Sequence, residues 1–89
     1  MSDEVGEIAS TRVTIALFAA ARAAAGCDAV LVAPGPLVDL LDEVGQRYPG
    51  FRDVRPRCSF LVDGLVVHDE RLVVPAGARV DVLPPFAGG

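Results

Sequence analysis

Alternation opens the readable part of the chain. In RVTIALF, residues 12–18, Val13, Ile15 and Leu17 fall on one face of an extended segment, and Thr14, Ala16 and Phe18 on the other. This predicts a strand. AAARAAAG, residues 19–26, predicts a short helix closed by a glycine C-cap. DAVLVA, residues 28–33, is a second strand, stopped by Pro34-Gly35-Pro36. The period then changes. Leu37, Leu40, Leu41, Val44 and Tyr48 recur at helical spacing and make one apolar stripe, with Pro36 suited to the first helical position. Asp39, Asp42 and Glu43 lie toward the N-terminal half, where the helix dipole favours negative charge. Pro49-Gly50 ends the helix. Gly45 in its interior costs roughly 1 kcal/mol relative to alanine, so packing against a sheet is expected to hold the helix in place.

Downstream, RCSFLVDGLVVHD predicts a strand, a turn at Asp63-Gly64 and a short return strand, with Phe60 and Val62 sharing a face. RLVVPAGA adds a short extended piece and a turn. ARVDVL, residues 78–83, is the last strand, with Val80 and Val82 on one face and Asp81 and Leu83 on the other. Pro84 and Pro85 end it, because neither donates to a ladder. One amphipathic helix laid across a small mixed sheet buries both apolar faces. The expected fold is therefore an α+β roll of the ubiquitin type over residues 11–83. Residues 1–10, acidic and without periodicity, read as a flexible leader, and residues 84–89 as an extended tail.

Parity also says what the core does not take. If Val13, Ile15, Leu17, Val80 and Val82 meet the helix, Phe18 and Leu83 lie outside. With the first and last strands as neighbours, these two form an exposed apolar patch beside the root of the tail, and Leu61, opposite in parity to Phe60 and Val62, is a candidate third member. Such patches mark partner sites; the competing expectation is a cover by the leader or the short helix.

Composition narrows the function classes. Net charge is −4 over 89 residues, which argues against nucleic acid as the main partner. No apolar run reaches the ~18–20 residues of a membrane span and no secretory leader is visible, so the cytoplasm is the expected location. The two cysteines, Cys27 and Cys58, are expected to be reduced and structural. With them and the single His68, no metal-ligand spacing exists. All eight basic residues are arginine; there is no lysine. No nucleophile–base pair or phosphate-cradling loop is present, so catalysis by the chain alone is not expected.

The sequence finishes LPPFAGG. Pro84 and Pro85 favour a stiff, extended start. The six residues after Leu83 reach about 20 Å at ~3.3–3.6 Å each. Phe86 is one apolar anchor, and Ala87, Gly88 and Gly89 are slim enough to enter a channel that excludes bulk. The terminal carboxylate is then the only functional group at the tip, and it becomes reactive only once activated.

LPPFAGG, together with FAAARAAAG after the first strand and the FLVDG turn, resembles the MoaD-like sulfur carriers, the small subunits of molybdopterin synthase. The similarity runs from about Arg12 to Gly89, and PP-x-x-GG is its specific element. The resemblance implies a β-grasp fold with adjacent, parallel first and last strands. It also implies a mechanism. An E1-like partner uses ATP and Mg²⁺ to adenylate the carboxyl of Gly89. Sulfur from a donor protein then replaces AMP and leaves a thiocarboxylate. The tail enters the large subunit of a heterotetramer, where the sulfur passes to cyclic pyranopterin monophosphate. Gly88 and Gly89 match the family's diglycine. Phe18 and Leu83 match apolar positions facing the large subunit, and Phe86 stands where a smaller valine is common. The small subunit itself binds no cofactor. The alternatives are a sulfur carrier for thiamin or cysteine synthesis, and a ubiquitin-like modifier or interaction domain.

Overall fold

The computed structural model describes residues 10–85. The predicted leader, apart from Ser10, and the tail residues Phe86, Ala87, Gly88 and Gly89 lie outside the described residues. The first alternating segment forms β1 (Val13–Leu17), and the alanine run forms α1 (Ala19–Ala25). Gly26 closes α1 at φ 77°, its N–H donating to the Arg22 carbonyl at 2.8 Å, as a left-handed glycine cap requires. β2 (Ala29–Val32) and the two-residue β3 (Gly35–Pro36) follow, then the main helix α2 (Leu37–Arg47). A four-residue helix α3 (Phe51–Val54) runs into a 3₁₀ turn (Arg55–Arg57). β4 (Ser59–Val62), β5 (Leu65–Val67), β6 (Val73–Val74) and β7 (Arg79–Leu83) complete the chain.

The main sheet has the order β2-β1-β7-β4-β5, and β3 and β6 make a separate two-stranded ribbon. β1 and β7 run parallel at its centre with Ile15 opposite Val80, and every other pairing is antiparallel. The expected inner face is the observed one. Val13, Ile15, Leu17, Val80 and Val82 are buried, together with Val30, Val32 and Phe60, under Leu37, Leu40, Leu41 and Val44 of α2. Burial of each such side chain contributes about 1.5–3 kcal/mol, so this layer supplies most of the stability. Tyr48, the last member of the predicted stripe, is half-buried at the C-cap of α2.

Three details depart from the local pattern. Pro36 sits one position before α2, extended at ψ 138°, and pairs with Val73. α3 and its 3₁₀ turn were not legible in the sequence, yet they deliver Phe51, completely buried, to the core. Gly50 does more than stop a helix, because a Cβ there would lie 2.9 Å from the Ala24 carbonyl oxygen. Only glycine lets the end of α1 approach the start of α3 so closely. Gly45, which is buried within α2, lies under the side chain of Arg52, whose Cγ would be 3.1 Å from an added Cβ.

Candidate partner-docking face

The face of the sheet turned away from α2 is built by register. Leu17 lies opposite Val82, so the next positions along the two parallel strands are Phe18 and Leu83. On β4, Ser59 pairs with Leu83 and Leu61 with Asp81, which places Leu61 diagonal to Leu83 on the same face. Diagonal neighbours across a ladder are within reach of long side chains. Phe18 is 37% exposed, Leu61 and Leu83 are half-buried, Pro84 is half-buried and Pro85 exposed. The three residues predicted from parity therefore share one face at the root of the tail. The sequence reading missed a fourth, Val66 of β5, which is exposed and sits opposite Leu61. Leu65-Val66-Val67 is apolar at every position, so nothing local says which of the three faces outward.

A polar set flanks this apolar line. Asp81 lies between Ala16 and Leu61, and Arg79 donates to it through Nε at 2.7 Å. The Arg79 N–H donates to Asp63 Oδ1 at 2.9 Å, tying the tip of the β4–β5 hairpin to β7. Arg22 and Asp28 form an exposed pair at 3.7 Å. Beside Phe18 lies an open depression of about 290 Å³, lined by Ala16, Ala29, Arg22, Asp28 and Arg79 among others. An apolar line with a charged rim is the usual anatomy of a protein–protein contact surface.

Phe18 is held out by an unusual backbone. It continues the extended geometry of β1 (φ −124°, ψ 153°), and its carbonyl accepts the Ala21 N–H at 3.0 Å. Ala19 then turns the chain at φ 49°, the left-handed region that costs an L-residue roughly 1–2 kcal/mol. Substitution by glycine removes that cost at the expense of ~0.5–1 kcal/mol of backbone entropy. Ala19→Gly is therefore expected to raise Tm by up to about 4–8 °C, the shift that ~1 kcal/mol produces in a domain of this size. Ala19→Val, β-branched, is expected to lower it. A calorimetric scan of both variants checks the pair of signs.

The remaining chemistry-bearing residues lie elsewhere. Cys27 and Cys58 are free thiols. Burial pushes the Cys58 thiol above its ordinary pKa, and its Sγ donates to the Val54 carbonyl at 3.2 Å. Tyr48 is held above the ordinary phenol value, chiefly by a side-chain hydrogen bond with Cys27. His68 is exposed. Among the described residues no group of three His, Cys, Asp or Glu side chains is placed to hold a metal, and no helix is long and apolar enough to cross a membrane. A larger cleft of about 310 Å³ opens on the helical side, lined by Leu41, Asp42, Gly45, Gln46, Arg52 and Arg55. The Arg55 guanidinium bridges Asp42 and Glu70 there, so its charge is already met.

A mixed sheet with parallel central strands, a helix packed across it and a strand leading straight into the C-terminal prolines defines a ubiquitin-like β-grasp protein. Similar solved structures agree on that fold. Small archaeal modifier protein 1 from Haloferax volcanii superimposes with a TM-score of 0.78 at 22% identity, covering 88% of this chain and 99% of its own. A Pyrococcus furiosus protein described as molybdopterin converting factor subunit 1 gives 0.75 at 24% identity, covering 86% and 100%. The complex of subunits 1 and 2 of molybdopterin-converting factor from Helicobacter pylori contains a chain at 0.68 and 17% identity, covering 88% and 99%. No curated protein matches the sequence significantly. Residues 15–89 match the ThiS family. The chain belongs to the ThiS family, and its fold is that of the ubiquitin-like sulfur carriers.

Proposed function

We propose that this chain is the sulfur carrier of molybdopterin synthesis, working as the small subunit of a two-component sulfurtransferase. Its C-terminal Gly89 carboxyl is adenylated by an E1-like enzyme that uses ATP and Mg²⁺. The terminal sulfur of a donor protein's persulfide attacks the acyl-adenylate and AMP leaves; a second thiol then forms a disulfide with the donor, breaking its bond to that sulfur and freeing the thiocarboxylate. The tail then presents that sulfur to cyclic pyranopterin monophosphate in the large subunit. The observation that carries the reading is the family match, which runs through the terminal Gly88-Gly89. It is supported by the apolar face of Phe18, Leu61, Leu83 and Val66 at the root of the tail, and by the likeness to a chain that forms a complex with a second subunit. Pro84, Pro85, Phe86 and Ala87 form the lead into the partner. A second reading, a ubiquitin-like modifier, is favoured by the likeness to the archaeal modifier protein.

Intact mass of the chain recovered from growing cells separates the two. A sulfur carrier is heavier by the difference between sulfur and oxygen at its last residue, whereas a modifier appears as larger adducts on other proteins. Recovery of neither form under conditions that induce molybdenum-cofactor synthesis sinks both.

The docking face has its own test. Phe18→Asp places a charge on a partly exposed site, and surface changes usually stay within ±0.5 kcal/mol. Tm is expected to move by only about 2–4 °C. Affinity for the large subunit is expected to fall by roughly 30-fold or more, as when a central aromatic anchor worth ~2 kcal/mol is lost. Titration calorimetry measures the affinity. Unfolding of the variant would show that Phe18 belongs to the core.

A further inference from the structure

The eight basic side chains are all arginine, and the structure shows that geometry does not demand this everywhere. Arg55 needs its fork, with one Nη on Asp42 and the other on Glu70. Arg47 needs it too, donating to the Leu31 carbonyl at 3.0 Å and to Glu43. Arg71 grips Asp69 through Nε and Nη2, both at 3.1 Å. A planar guanidinium suits such two-pronged contacts and a lysine does not. Arg22, by contrast, makes a single exposed contact at 3.7 Å, and Arg52 and Arg57 are exposed and have no ion pair among the described residues. At these three positions a lysine would serve the fold as well. The two thiols are placed poorly for attack. Both thiols are half-buried, and Cys58 is further occupied by the Val54 carbonyl.

We propose that the chain is a one-way acyl donor: once its C-terminal carboxyl is activated, neither the same molecule nor a second copy captures it in a stable side-chain linkage. The chemistry is simple. Capture by a lysine amine breaks the carbonyl bond to the leaving group and forms a C–N bond. The amine proton goes to the departing group, and the amide is a dead end. Capture by Cys27 or Cys58 gives only another thioester, still exchangeable with an external thiol. With no side-chain amine in the sequence, a side chain of this protein offers the acyl group no amide-forming acceptor, and a lasting side-chain amide forms only on an external amine. If the chain also serves as a modifier, no polymer linked through its side chains therefore forms on an acceptor site. The inference rests on the activated Gly89 proposed above only for its biological use, and its test installs the activation chemically. Failure to find a thiocarboxylate in cells overturns the former reading alone.

The full chain is prepared as a C-terminal aryl thioester and concentrated at mildly alkaline pH. Products are read by intact mass after hydroxylamine, which cleaves thioesters and spares amides. Junctions are located by tandem mass spectrometry, so that products at the α-amino group are scored separately. Wild-type chain is expected to couple to added Nα-acetyl-lysine and to give no amide to a side chain of a second copy. Arg57→Lys and Arg52→Lys, each checked for an unchanged Tm, are expected to give hydroxylamine-resistant dimers joined at the new lysine. A side-chain amide dimer in the wild type, or lysine variants that form no more dimer than wild type, overturns the proposal.

Discussion

Deletion of Gly89 is expected to abolish sulfur loading completely and to leave Tm unchanged. The truncated chain still ends in a carboxylate, so what is lost is its position. One residue shortens the reach of the tail by ~3.3–3.6 Å, and near-attack chemistry tolerates about an ångström of misplacement before rates fall by ~100-fold. Among the described residues the last strand ends at Leu83, and the last core side chain is Val82. The measurement pairs intact mass after incubation with ATP, Mg²⁺, activating enzyme and sulfur donor with a thermal melt. Loading of the truncated chain at the wild-type rate would end the carrier reading. A large fall in Tm would mean that the tail contributes to the folded domain.

Phe51→Ala is expected to be the most damaging single change to stability. Phe51 is fully buried, and it comes from a helix of only four residues. Truncating such a ring costs about 3–5 kcal/mol, part lost transfer and part residual cavity. For 89 residues the whole stability is on the order of 4–13 kcal/mol, from ~0.05–0.15 kcal/mol per residue. The loss thus approaches a third or more of the total, and Tm falls by roughly 12–40 °C at ~4–8 °C per kcal/mol. Because α3 has too few residues to hold itself together, the loss should free α3 and the adjoining 3₁₀ turn before the sheet. Hydrogen exchange at Val54 and Arg55 should rise ahead of exchange at Ile15 and Val80. A cost below about 1 kcal/mol would mean that Phe51 can be replaced by collapse of its neighbours.

Comparing these two sites shows why parts of the molecule were legible and others were not. β1, β7 and α2 announce themselves because each residue's neighbours two or four positions away carry the pattern, and the observed register keeps that parity throughout. Phe18, Leu61 and Leu83 followed from the same arithmetic. α3 is not legible because the five residues between Gly50 and Pro56 hold little more than one helical turn, too short for the period to repeat. Its helical state depends on Phe51 finding a place in the core. Val66 was missed because β5 has three residues, too few to establish which face is which without its partner Leu61. Pro36 was misplaced by one position because its pairing partner, Val73, is 37 residues away in sequence.

By itself, then, the sequence determined the parities of the long strands, the stripe of α2 and the slim diglycine end, because these depend on local periodicity and on backbone bulk alone. Tertiary structure decided what depends on contacts between distant segments. It brought the parallel β1 and β7 together so that Phe18 and Leu83 follow matched positions, Leu17 and Val82, on neighbouring strands. It set Asp81 beside Ala16 and Leu61, residues from two other strands. It made Gly50 obligatory by laying the Ala24 carbonyl against it. None of these has a local cause: each exists only because packing fixes where one segment ends up relative to another.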